Sequence, residues 1–200
     1  MPMLQEMEQA FGQISDASNS KETELSRGRL TSVQANLVQL ECLQENSVDH
    51  AVCLFSTLGM IRHTRYRRQF LDHARRIIRP GGKFILHAHN VWSQLLDRGG
   101  ATWFAKHLVD VARKRNEFGD RFSDYRGIRN MFIHSFRKRE LIGLLQGSGF
   151  SVQEIYPVTR TLLNQIESCN NSDEAAMGEA IDRCRKAGMF KTIGWIVVCE

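Results

Sequence analysis

Proline is scarce, three residues in 200, and no internal repeat or low-complexity tract interrupts the chain, which excludes solenoid and Pro-rich linker architectures. No apolar run approaches the roughly 18 residues of a membrane span. The opening MPMLQEMEQAFGQI lacks the charged-then-apolar order of a signal peptide. Five cysteines, Cys42, Cys53, Cys169, Cys184 and Cys199, are odd in number and scattered, with no CxxC and no Cys/His spacing suited to zinc. Reduced thiols in a cytoplasmic protein, with no membrane partner, are the expectation. A formal charge of +5 permits a polyanionic partner without requiring one.

What is present is a core-forming chain, 42% hydrophobic and of a length that suits one domain. Leu4, Met7, Phe11 and Ile14 recur at helical spacing, and the polar SDASNSKETELSRG after them reads as a solvated connection. LTSVQANLVQL, from Leu30, suggests a strand ending near Ala35. VDHAVCLFSTLGM, residues 48–60, has a near-continuous apolar centre, as expected of a central strand buried on both faces of a parallel sheet. From Thr64 to Arg79, Tyr66, Phe70, Leu71, Ala74, Ile77 and Ile78 repeat at three and four with arginines opposite, which predicts a helix on a sheet.

RIIRPGGKFILHAHN then stops that helix, because proline cannot continue it and two glycines allow a reversal into a strand. Strand, helix and strand in about 40 residues make a βαβ unit with parallel strands and a right-handed crossover. Ala101–Arg115 is expected to be a helix with Trp103, Phe104, Leu108 and Val111 on one side. NEFGDRFSDYRGIRNMFIHSF has no clear period. Ser135 is expected to cap a helix through Gln146 before the strand FSVQEIYPV, and Ser172 to cap another ending at Gly188 before the strand KTIGWIVVCE.

In this order NSVDHAVCLFSTLGMI, RRIIRPGGKFILH, HSFRKRELIGLLQGSGFSVQEI and GWIVVCE resemble the class I S-adenosylmethionine-dependent methyltransferases, of the type 11-like kind. The resemblance implies an α/β, Rossmann-like sandwich, mostly parallel, with an antiparallel C-terminal strand. It covers the chain as a single partial domain, with 91–135 as a variable acceptor-binding insertion. That family holds its cofactor on a glycine-rich loop after the first strand and on an acid ending the second. Here the only GxG, Gly147-Ser-Gly149, follows a helix and precedes a strand, so the domain is expected to be N-terminally truncated. The fourth strand of the fold would then be an exposed apolar edge inviting self-association.

The resemblance implies S-adenosyl-L-methionine as cofactor, with Asn36 and Leu37 on its adenine and Phe55 and Ser56 ending the strand beside it. His87 and His89 share a face of the next strand. His89 suits a general base near neutral pH, with His87 and Asn90 beside the acceptor, and no third ligand stands at metal spacing. The other reading of each, a packed or capping histidine, is the commoner one for such residues. Arg62, Arg65, Arg67 and Arg68, with His63, crowd a helix start, where cations oppose the dipole and an anion would explain them. Tyr125 and Arg126 lie in an aromatic and arginine stretch that could clamp a small acceptor or stack on tRNA bases, or pack on itself as a lid. Methyl transfer to a small molecule or tRNA is the function expected. The alternative is a catalytically inactive module of the same fold that binds RNA or a protein.

Overall fold

The computed structural model describes residues 30–96, 99–125, 127–168 and 174–200. Leu37–Glu200 gathers into one compact unit and Met1–Asn36 into another. Of the first unit only residues 30–36 are described, without helix or strand, and the strand expected to end near Ala35 is not formed. Its polar and apolar residues alternate too irregularly to supply one buried face. The helix expected over Met3–Ile14, the connection after it and the cap at Ser172 lie outside the described residues.

The second unit opens with β1 (Val48–Cys53), a single helical turn α1 (Thr57–Met60), α2 (Thr64–Ile77) and β2 (Ile78–His89). β1 and β2 are parallel, so the expected βαβ unit is present. Helix α2 ends at Ile77, three positions before Pro80; proline pushes Arg79 before it toward extended geometry, and Ile78 is already extended (φ −75°, ψ 130°). Pro-Gly-Gly is therefore a bulge inside β2. The register passes from Val48 opposite Ile78 to His50 opposite Lys83, leaving residues 79–82 facing Asp49 alone. A Cβ on Gly82 would stand 2.2 Å from the Asp49 carbonyl oxygen, so only glycine fits there.

Next come a 3-10 turn (Val91–Leu96), α3 (Gly100–Ala112) and an antiparallel hairpin of β3 (Asp120–Tyr125) and β4 (Ile128–His134). The chain then forms α4 (Lys138–Gly147), β5 (Val152–Thr159), α5 (Arg160–Ser168), α6 (Glu174–Arg185) and β6 (Thr192–Cys199). The main sheet runs β1-β2-β6-β5. Because β6 is antiparallel to both neighbours, β1, β2 and β5 point one way and β6 alone is reversed. Their carboxyl ends share one edge of the sheet.

Phe84, Leu86 and Ala88 of β2 and Trp195, Val197 and Cys199 of β6 meet Phe70, Leu71 and Ala74 of α2 and Leu141, Leu144 and Leu145 of α4 in one core. Burying a leucine such as Leu71 or Leu86 contributes about 1.5–3 kcal/mol. β1 is not central. Among the described residues it pairs with β2 only, and Val52 is 65% exposed, while Val48, Ala51 and Cys53 meet the core. Helix α3 buries His107, while Leu108, expected on its inner face, is exposed. Ser135 does not cap α4. That role falls to Arg137, whose backbone N–H donates to Glu140 Oε2 at 3.4 Å, while the Ser135 hydroxyl accepts from Gln94 Nε2 at 2.5 Å.

Candidate functional site

At the carboxyl edge, β1 runs into two consecutive left-handed residues, Phe55 (φ 54°) and Ser56 (φ 56°), a conformation costly for side chains other than glycine. The turn aims Phe55 outward, 81% exposed, and drives Ser56 inward, fully buried. The Ser56 hydroxyl accepts the His89 backbone N–H at 3.2 Å, which joins the end of β1 to the end of β2. Ser56 is thus a structural tie. Asn90 is tied in the same way. It is fully buried, its Nδ2 donates to the carbonyls of Met189 and Thr192 at 2.7 Å each, and its Oδ1 accepts from Trp92 N.

His87 and His89 lie on the face of β2 away from the helical core, half-buried, with ring centroids 5.1 Å apart. Burial, with the neighbouring His89 second, takes His87 down to about 4, and burial also lowers His89. Both rings are neutral at pH 7, and a neutral imidazole can accept a proton. Leu37 packs against the main core at a turn. Asn36 belongs to the other unit and has no regular structure. Tyr125 ends β3; its side chain and Arg126 lie outside the described residues.

The arginine cluster is used internally. Arg62 lies over the rings of Phe122 and Phe132 at 5.2 Å each, and Arg65 over Tyr66 at 4.5 Å, donating to its hydroxyl. Arg67 is fully buried, donating to Ile61 O at 3.0 Å and to Glu117, so it does not face solvent as the helical pattern suggested. Thr64 completes the Glu117 carboxylate from its backbone N–H and its hydroxyl, both at 2.9 Å. Beside this pair, buried His134 sets Nδ1 2.8 Å from Asp120 and Nε2 2.8 Å from Glu140. Burial lowers His134, but the two carboxylates more than offset it and the net direction is upward. Burial raises Asp120, and the His134 bond and the Glu117 N–H more than reverse that. Glu117, Asp120 and His134 bring ligand-type atoms within 4.8 Å, yet both ring nitrogens and the Glu117 carboxylate already face protein partners, so the cluster is an ion-pair network.

A methyltransferase-domain family profile matches residues 6–86. No curated protein sequence matches the chain. An S-adenosylmethionine-dependent methyltransferase from Methanosarcina mazei superimposes with a TM-score of 0.60 at 16% identity, over 96% of this chain and 76% of that one. The CcbJ methyltransferase of Streptomyces caelestis gives 0.49 at 14% identity, over 84% of this chain and 62% of that one. A methyltransferase from Clostridium acetobutylicum gives 0.49 at 8%, over 84% and 63%. The chain thus spans less than two thirds of the latter two. Its fold is that of the S-adenosylmethionine-dependent methyltransferases.

On a methyltransferase fold of this kind ligands lie outside the carboxyl ends of the parallel strands. Of the residues singled out from sequence, that edge carries Phe55, His89 and, one register step back, His87. Arg65 is on α2 with its guanidinium stacked on Tyr66. The network of Arg67, Glu117, Asp120, His134 and Glu140 was missed, since its bonded pairs stand up to 50 residues apart and no local spacing links them. The hairpin was missed because arginines break the alternation of its strands.

Proposed function

We propose that this chain transfers a methyl group from S-adenosyl-L-methionine to an acceptor, a small molecule or a tRNA. The observation that carries the reading is the strand order β1-β2-β6-β5 with β6 alone reversed, beside the methyltransferase-domain match. When bound, S-adenosylmethionine supplies an electrophilic sulfonium methyl. Exposed Phe55 offers an apolar face for the adenine side, whereas no glycine-rich loop stands in the sequence for the methionine end, so the residues present fit only part of the group. Most of the rate would come from alignment of acceptor and methyl, an effect worth up to about 7–11 kcal/mol. His89, neutral through burial, is the proposed proton acceptor.

The test is transfer of radiolabelled methyl from S-adenosylmethionine to pooled small metabolites and to tRNA. His89→Ala should lower turnover tenfold or more with cofactor affinity nearly unchanged. Parental turnover would make His89 structural. RNA retention without any cofactor binding would favour the inactive module instead.

A further inference from the structure

A second feature opens on the same sheet edge. Between the end of β5, the start of α5, the end of α6 and the turn entering β6 lies a cavity of about 840 Å³, within the range of small-molecule sites. Arg160, Arg183, Lys186 and Lys191 line it, and no carboxylate does among the described residues. Leu96, 66% exposed, and Phe190, 48% exposed, add apolar surface to the same wall. Two of these features are fixed by the buried Asn90, whose amide holds the carbonyls of Met189 and Thr192 and so sets the turn that carries Phe190 and Lys191. Ile193, also in the lining, accepts the Asn90 N–H at 2.9 Å, and His89 pairs with Gly194. The cavity therefore borders the strand that carries His89.

Arg183, Lys186 and Lys191 place three like charges around one concavity, where they repel each other. An anion relieves that repulsion, and the apolar wall suits an aromatic or aliphatic body. We infer that this cavity binds a small anionic molecule, a carboxylate or phosphate ester with an apolar body. If the methyl-transfer reading holds, on which only this step rests, that molecule is the class of acceptor.

The experiment is calorimetric titration of the full chain, without S-adenosylmethionine, using 1-naphthyl phosphate, 1-naphthoate and neutral 1-naphthalenemethanol. The anionic probes should bind at least tenfold more tightly than the alcohol, and the two anions compared with each other tell phosphate from carboxylate. Arg183→Gln with Lys186→Gln and Lys191→Gln should abolish that preference, while Lys83→Gln with Lys106→Gln and Lys138→Gln, matched in charge but remote from the cavity lining, should keep it. Lys191→Glu alone, at an exposed turn position, serves if the triple variant does not fold. Equal binding of the alcohol, or equal loss in the remote variant, overturns the inference. Tighter binding of a short RNA through the same three residues also overturns it, in favour of a polyanion surface. Because the titration omits the cofactor, anion binding without methyl transfer would sink only the enzymatic reading, and methyl transfer without anion preference would sink only this one.

Discussion

At the scale of single residues, the buried charge network decides how this molecule responds to mutation and pH. Arg67 has no solvent to turn to, so removing its partner leaves a buried cation unpaired. Glu117→Gln should destabilise the fold toward the lower end of the about 3–5 kcal/mol typical of a broken buried pair, since Glu117 is itself one third exposed. Chemical denaturation would read this, and an unchanged midpoint would show that the guanidinium finds other acceptors. His134 is raised above its ordinary 6.5, so its contribution is full below that pH and is lost as pH rises through the raised value. Asp120 and Glu117 are lowered from 3.8 and 4.5, so theirs is present above those values and lost as pH falls. The network is strongest between about 4.5 and 6.5. His87, His89 and His107, all lowered by burial, act in the opposite sense over that range. The measurement is therefore the stability difference between the parent and His134→Gln. It should be largest near pH 5–6 and shrink toward pH 9. A difference that grew with pH would mean that His134 is buried neutral.

Among the elements, β1 and the insertion behave unlike the rest. β1 presents one ladder edge with no partner among the described residues, next to exposed Val52 and Leu54. Unpaired edges of this kind template association, and natural sheets block them with charge. Light scattering should find the chain heavier than its 22.9 kDa monomer, and Val52→Lys should shift it toward that mass. Identical masses for both would show that the edge is covered. The proposed insertion is held together by ring contacts. Phe118 meets Trp92, Phe104 and His107 within 5.8–6.0 Å, and His107 accepts the Gly119 N–H at 2.9 Å. Of the two readings of this stretch, the self-packed lid describes these rings better than a row of free stacking platforms.

At the scale of the whole molecule, the sheet is built around β2 and β6, Phe55 is the proposed cofactor contact, and no glycine-rich loop stands in the sequence. S-adenosylmethionine should therefore bind weakly to these 200 residues, beyond the micromolar range in a calorimetric titration. Micromolar affinity would show that other residues replace the loop. The sequence alone determined the parallel βαβ unit, while the reversed last strand and the fold class were implied by the resemblance of its segments to methyltransferases. Apolar period and Pro-Gly-Gly chemistry act within a few residues, so they are legible along the chain. Only the tertiary structure decided that Ser56 and Asn90 are ties, that Arg67 is buried against Glu117, and that four cations surround one cavity. Those outcomes depend on residues tens to a hundred positions apart meeting at one place, as Asn90 meets Thr192, and no local preference encodes which distant partner fills a polar side chain's last hydrogen bond.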